Sequence, residues 1–132
     1  MSYRIARINY DVYKTAGRLH GIESDAFRAK PYAEQKQFIL DTCMVYGDGF
    51  RHNMSLLGNE AEEFLMYTMA LNDSWARERG LSTDPNDYTA PGSYSPQVDY
   101  CHQITLRKLA EFKPEVLFIQ GINSFENVNF AE

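Results

Sequence analysis

Leu109-Ala110-Glu111-Phe112-Lys113-Pro114-Glu115-Val116-Leu117-Phe118-Ile119-Gln120 is the stretch on which the fold class turns. Pro114 stops a helix, because it has no N–H to donate and its ring collides with the preceding turn. Upstream of it Val98, Cys101, Thr105, Leu109 and Phe112 recur at three- and four-residue steps, back to Ser95-Pro96, a cap followed by a first-turn proline. Downstream, Val116 to Gln120 is short and nearly all apolar, the pattern of a strand buried on both sides. A helix that feeds such a strand belongs to an α/β protein with a parallel sheet.

Working outward, the rest of the chain agrees. Tyr3, Ile5, Ile8 and Tyr10 alternate with polar residues and predict a first strand over residues 3–10. Asp11 to Lys30 keeps no periodicity and reads as a long, functional or mobile loop. From Pro31 onward Phe38, Ile39, Cys43, Tyr46, Phe50, Met54 and Leu57 form one apolar stripe, interrupted by Gly47-Asp48-Gly49. Two glycines in a helix interior cost about 2 kcal/mol relative to alanine, so the stripe divides into helices over 32–46 and 48–57. Asp48 is the N-cap expected for the second of these, and Gly58-Asn59 its stop. Ala61 to Thr68 predicts the second strand. A short helix over 72–79 follows, capped by Asn72 or Asp73 and stopped by Gly80. Pro85, Pro91, Gly92 and Pro96 mark 82–96 as loop, and nothing convincing follows Ser124.

Length and composition set the frame. The chain has 132 residues, one domain's worth, and is 44% hydrophobic and 23% charged. That size hides roughly two-thirds of the unfolded surface, so a core forms without disulfides or metals. Disordered, collagen-like and disulfide-scaffold classes are excluded. No apolar run approaches the ~20 residues of a membrane span, and the N-terminus lacks a signal-peptide apolar region, so the expected location is cytoplasmic. Eighteen acids against 13 bases leave a net charge of −5, which disfavours nucleic acid as a partner. The tight basic clusters, Arg77-Glu78-Arg79 and Arg107-Lys108, read as helix surface. Cys43 and Cys101 read as buried, reduced thiols.

In an open α/β sheet ligands bind beyond the carboxyl ends of the strands. This rule selects Asn9, Tyr10 and Asp11 after the first strand, Gly47 and Asp48 at a helix start, and Gln120 to Asn123 after the third strand. A helix start can hold an anion, but Asp48 would repel a phosphate, and no GxGxxG or Walker A sequence occurs, so dinucleotide binding is excluded. For proton abstraction Asp11 and His20 are the candidates, since both lie in the loop after the first strand. His52 and His102 fall beside apolar stripes and read as packed or surface residues. No set of ligands has metal spacing, and no G-x-S-x-G elbow is present. Tyr88, Tyr94 and Tyr100 could stack on sugar rings, though a place at the core edge is the commoner use of tyrosine.

Four segments carry a resemblance. Tyr32-Ala33-Glu34-Gln35, Gly47-Asp48-Gly49-Phe50 with Asn53 to Glu63, Trp75-Ala76-Arg77-Glu78, and Lys113 to Gln120 occur in the order seen in a bacterial GT-B-type glycosyltransferase-like family. The similarity spans residues 32–121 and resembles that family's N-terminal, acceptor-side half. It implies a three-layer Rossmann-like domain over 1–132, with a small parallel sheet of about three strands flanked by helices; the loops over 11–30 and 82–95 read as mobile from their own composition. It also implies that the chain is part of a longer protein, that a nucleotide-sugar donor binds an absent second domain, and that this chain alone holds no cofactor and transfers no sugar. Its partners would be a sugar or glycan acceptor and either the missing domain or further copies of itself. Gly121 stands where family members often carry an acid, and no role is transferred to it. The rival reading is a stand-alone, non-catalytic α/β binding or oligomerisation module of flavodoxin- or receiver-like shape. Against phosphotransfer stands Gln120-Gly121 at the end of the third strand, where a receiver needs an aspartate.

Overall fold

The computed structural model describes residues 1–9, 21–42 and 48–120. Its elements are β1 (Arg4–Asn9), α1 (Asp25–Arg28), α2 (Tyr32–Thr42), α3 (Gly49–Leu56), β2 (Glu60–Leu65), α4 (Met69–Glu78), a 3-10 turn (Pro85–Tyr88), α5 (Pro96–Phe112) and β3 (Val116–Ile119). The three strands form one parallel sheet in the order β2-β1-β3, flanked by helices in a small Rossmann-like α/β arrangement. The predicted 43–46 end of the first long helix, the 11–20 part of the loop and the tail lie outside the described residues.

Register fixes which side chains share a face, because alternate residues of a strand point to opposite sides. Ala6 pairs with Glu62 and Leu117, and Ile8 with Phe64 and Ile119. On that face Ala6, Ile8 and Phe64 meet Trp75 and Ala76 of α4 and Tyr100, Cys101, Ile104 and Leu109 of α5. On the other face Arg7 pairs with Glu63 and Phe118, and the Phe50 ring of α3 lies 4.6 Å from the Arg7 guanidinium. A second cluster joins Phe27, Ile39 and Leu40 to Leu65, Ala70 and Leu71.

Several boundaries correct the sequence reading. β2 ends at Leu65, and Met66 and Tyr67 turn instead of extending the strand. Helix α4 therefore begins at Met69 with Thr68 at the N-cap position, and Asn72, read as a cap, lies one turn inside with its N–H on the Thr68 carbonyl. The polar stretch before Pro31 contains α1, whose Ser24 hydroxyl accepts from the Phe27 N–H. Helix α3 has no fully buried residue, and Leu57, assigned to its apolar stripe, is exposed. The third strand is an edge rather than a sandwiched strand: Val116 and Phe118 are 44% and 53% exposed. The central position belongs to β1, half of whose residues are polar. Trp75 is buried and Arg77 to Arg79 are exposed, as the spacing implied, but Lys108, read as helix surface, is buried.

Candidate functional site

In the order β2-β1-β3 the chain leaves β1 to one side and later returns to its other side, so the topological switch lies between β1 and β3, and their carboxyl ends frame the ligand-binding crevice of this architecture. Two of the residues selected from sequence meet there. Asn9 closes β1, and the Gln120 N–H extends the ladder by donating to the Ile8 carbonyl at 3.0 Å. Gln120 is exposed, whereas Asn9 is 4% exposed. Tyr10, Asp11, His20, Gly47 and Asn123 lie outside the described residues.

Asn9 is not alone. Its Nδ2 donates to Glu63 Oε1 at 2.9 Å, and the same oxygen accepts from Arg7 Nε at 3.1 Å and Arg7 Nη2 at 2.5 Å. The carboxylate of Glu63 is wholly buried beside an arginine whose own side chain is 21% exposed. All the donors converge on Oε1. Glu63 Oε2 and Asn9 Oδ1 are buried and accept no hydrogen bond. A buried polar atom without a partner costs about 1–3 kcal/mol, so two such acceptors beside the sheet's carboxyl edge need a reason. Both are acceptors, and the chemistry that satisfies them is a donor: a hydroxyl, an amide N–H or water. The Arg7 guanidinium in the same cluster sets the site against a bare cation.

Asp48 belongs to a different group. Its carboxylate caps nothing and instead takes Arg51 Nε at 2.8 Å and Nη2 at 2.5 Å. That contact holds the Asp48 carboxyl below the usual aspartate range. Arg51 continues to Glu62, whose Oε1 also meets Lys36 Nζ at 2.5 Å. This chain of charges ties α2, α3 and β2 together and leaves Asp48 engaged by its own protein.

The aromatic and histidine candidates sort by burial. Tyr100 is fully buried and its hydroxyl donates to Asp73 Oδ1 at 2.7 Å; Tyr88 packs against it at 5.2 Å between ring centroids. These two build the α5 face. Tyr94 is fully exposed, and His52 is exposed. His102 is placed more pointedly than its sequence position implied. Its Nε2 lies 2.9 Å from the Tyr67 hydroxyl, in the turn that leaves the carboxyl end of β2, and burial lowers its imidazolium below the ordinary histidine value. No group of His, Cys, Asp and Glu among the described residues has metal-binding geometry. Cys101 is buried, and its Sγ accepts from Asn72 Nδ2 at 3.4 Å and donates to Met69 Sδ at 3.6 Å.

No protein-family model, curated protein or solved structure matches the chain. The glycosyltransferase-like resemblance thus rests on its four sequence segments. Among the described residues no helix is long and apolar enough to cross a membrane.

The strand-end rule selects Asn9 and Gln120 from the sequence but does not select Glu63 and Arg7, which the structure places with Asn9. Glu63 closes the acidic run Glu60-Ala61-Glu62-Glu63, and Arg7 stands between Ala6 and Ile8 in the alternating first strand, where a polar residue reads as solvent-facing. The available signal was the strand period: Arg7 and Asn9 share one face of β1, and Glu63 shares one face of β2 with Leu65.

Proposed function

We propose that this chain is the acceptor-side domain of a glycosyltransferase-like protein, binding a hydroxyl-rich ligand at the carboxyl edge of its sheet and leaving sugar transfer to a donor-binding domain. The observation that carries the reading is the pair of buried, unpartnered acceptors, Asn9 Oδ1 at the end of β1 and Glu63 Oε2 two residues before the end of β2. Sugar hydroxyls are donors of the required kind, and a ligand that supplies them recovers hydrogen bonds the free domain forgoes. The ordered resemblance over residues 32–121 supports the same assignment.

Amide and side-chain NMR mapping tests it, with glucose, galactose, N-acetylglucosamine and maltose as probes and UDP as the donor-side control. At least one saccharide is expected to shift the Asn9 side-chain amide and Gln120, with the response lost in Asn9→Leu, and UDP is expected to shift neither. No saccharide response, or UDP bound at Asn9, defeats the assignment. A second reading, an oligomerisation module, is favoured by one specific observation: the edge strand β3 exposes Val116 and Phe118.

A further inference from the structure

Lys108 is an interior amine that the ligand site does not use. It lies in α5, 2% exposed, and its Nζ donates to Asn72 Oδ1 of α4 at 2.8 Å. Lys36, the other buried lysine, has a carboxylate at 2.5 Å in Glu62. Both amines sit over the Tyr32 ring, Lys36 at 5.6 Å and Lys108 at 5.2 Å from its centroid. Two lysines thus share one ring, and the nearby carboxylate is already held by Lys36 and Arg51. The ionisable groups around Lys108 are Tyr32 and Lys36 from α2, Glu62 from β2, Arg79 beyond the end of α4 and Cys101 from α5. A proton on Lys108 therefore enters a buried site with no carboxylate hydrogen-bonded to it, which is costly.

The amide that receives Lys108 reaches further. Asn72 Nδ2 donates to the Met66 carbonyl at 2.8 Å, in the turn that leaves β2 at the sheet's carboxyl edge. One helical turn before Asn72 and before Lys108 stand Thr68 and Thr105, whose buried hydroxyls have no partner. The α4–α5 seam is thus polar, incompletely bonded and continuous from Lys108 to the strand-end turn.

We infer that Lys108 is an interior proton-binding site, and that its occupancy sets how tightly α5 packs against α4 and the Met66–Thr68 turn. With the amine uncharged the seam is closed and Asn72 bridges Lys108 to Met66. Charging the amine places an uncompensated cation in the seam, and the packing relaxes around it. Burial, reinforced by the nearby Lys36 charge, pushes the Lys108 ammonium down to about 7 from 10.5. Between those two values the unfolded chain holds one more proton than the folded one. Stability therefore rises with pH across that window, and falls as pH drops toward 7.

The test compares wild type with Lys108→Met by urea unfolding between pH 7 and 9.5, together with amide NMR titration. Wild type is expected to gain about tenfold in its folding constant per pH unit relative to the variant. The Met66, Asn72 and α5 amides should titrate in wild type with a midpoint near 7 and lose that transition in Lys108→Met. Parallel stability curves, or amide transitions unchanged by the substitution, overturn the inference. Should Lys108→Met not fold, the Lys108 Cε resonance of the wild-type chain decides alone, and an ordinary lysine midpoint overturns it.

Discussion

Glu63 brings its carboxylate into the sheet's interior because Arg7 meets it there in register. The guanidinium gives two N–H groups to one oxygen and lies against the Phe50 ring, a combination of fork and flat cation that lysine does not reproduce. Such a pair adds little relative to an apolar one, but removing one partner strands the other in a poorly solvated place. Arg7→Met is accordingly expected to cost roughly 3 kcal/mol of folding stability, and Arg7→Lys less, as read by urea unfolding at neutral pH. A loss near zero for Arg7→Met would mean that the Glu63 carboxylate is solvated, and the case for unsatisfied acceptors at the strand ends would fall with it. None of this is visible residue by residue. Glu62 and Glu63 are adjacent acids on opposite faces, one bridged to Lys36 and Arg51 and the other to Arg7 and Asn9.

Helix α5 shows how much an element's own chemistry can reveal. Ser95 accepts from the Val98 N–H, Pro96 occupies the first turn, and the apolar spacing carries through to Phe112, all legible in the sequence. Its end is less so. Lys113 takes the left-handed conformation at φ 54°, where a side chain is strained and glycine is not. Lys113→Gly relieves that strain while loosening the unfolded chain, and a net gain of about 0.5 kcal/mol is expected. Thermal unfolding checks it, and a destabilised Lys113→Gly would show that the lysine side chain contributes more than its backbone conformation costs. Helix α4 was harder to read for the opposite reason. Phe64 to Tyr67 is apolar throughout, so nothing in the run marks the turn at Met66, and the inward face of α4 includes the polar Asn72 and Ser74, the first of which resembles a cap until tertiary contacts bury it. The apolar run of β3 misled in the same way. Composition indicates what a strand can bury, but strand order decides whether anything lies beside it, and strand order is set by pairings distant in sequence.

At the scale of the whole molecule the sheet formed by the described residues has two edges, and they are not alike. β2 carries Arg51, Glu62 and Lys36 around it, charges of the kind that discourage pairing with another chain. β3 lacks that protection on one face: Val116 and Phe118, in register with Ile5 and Arg7, expose apolar side chains on an edge strand. Edge strands of this description template association unless a charge interrupts them. Sedimentation of the wild-type chain over a wide concentration range is therefore expected to show a mass that rises with concentration. Phe118→Lys should remove that dependence at a stability cost of about 1 kcal/mol, since only half of the ring is withdrawn from water. A wild type that stays monomeric throughout would remove the oligomerisation reading and leave the strand-end site as the feature that requires a function. Association that survives Phe118→Lys would move the contact away from β3, toward the exposed Leu56 and Leu57 at the end of α3.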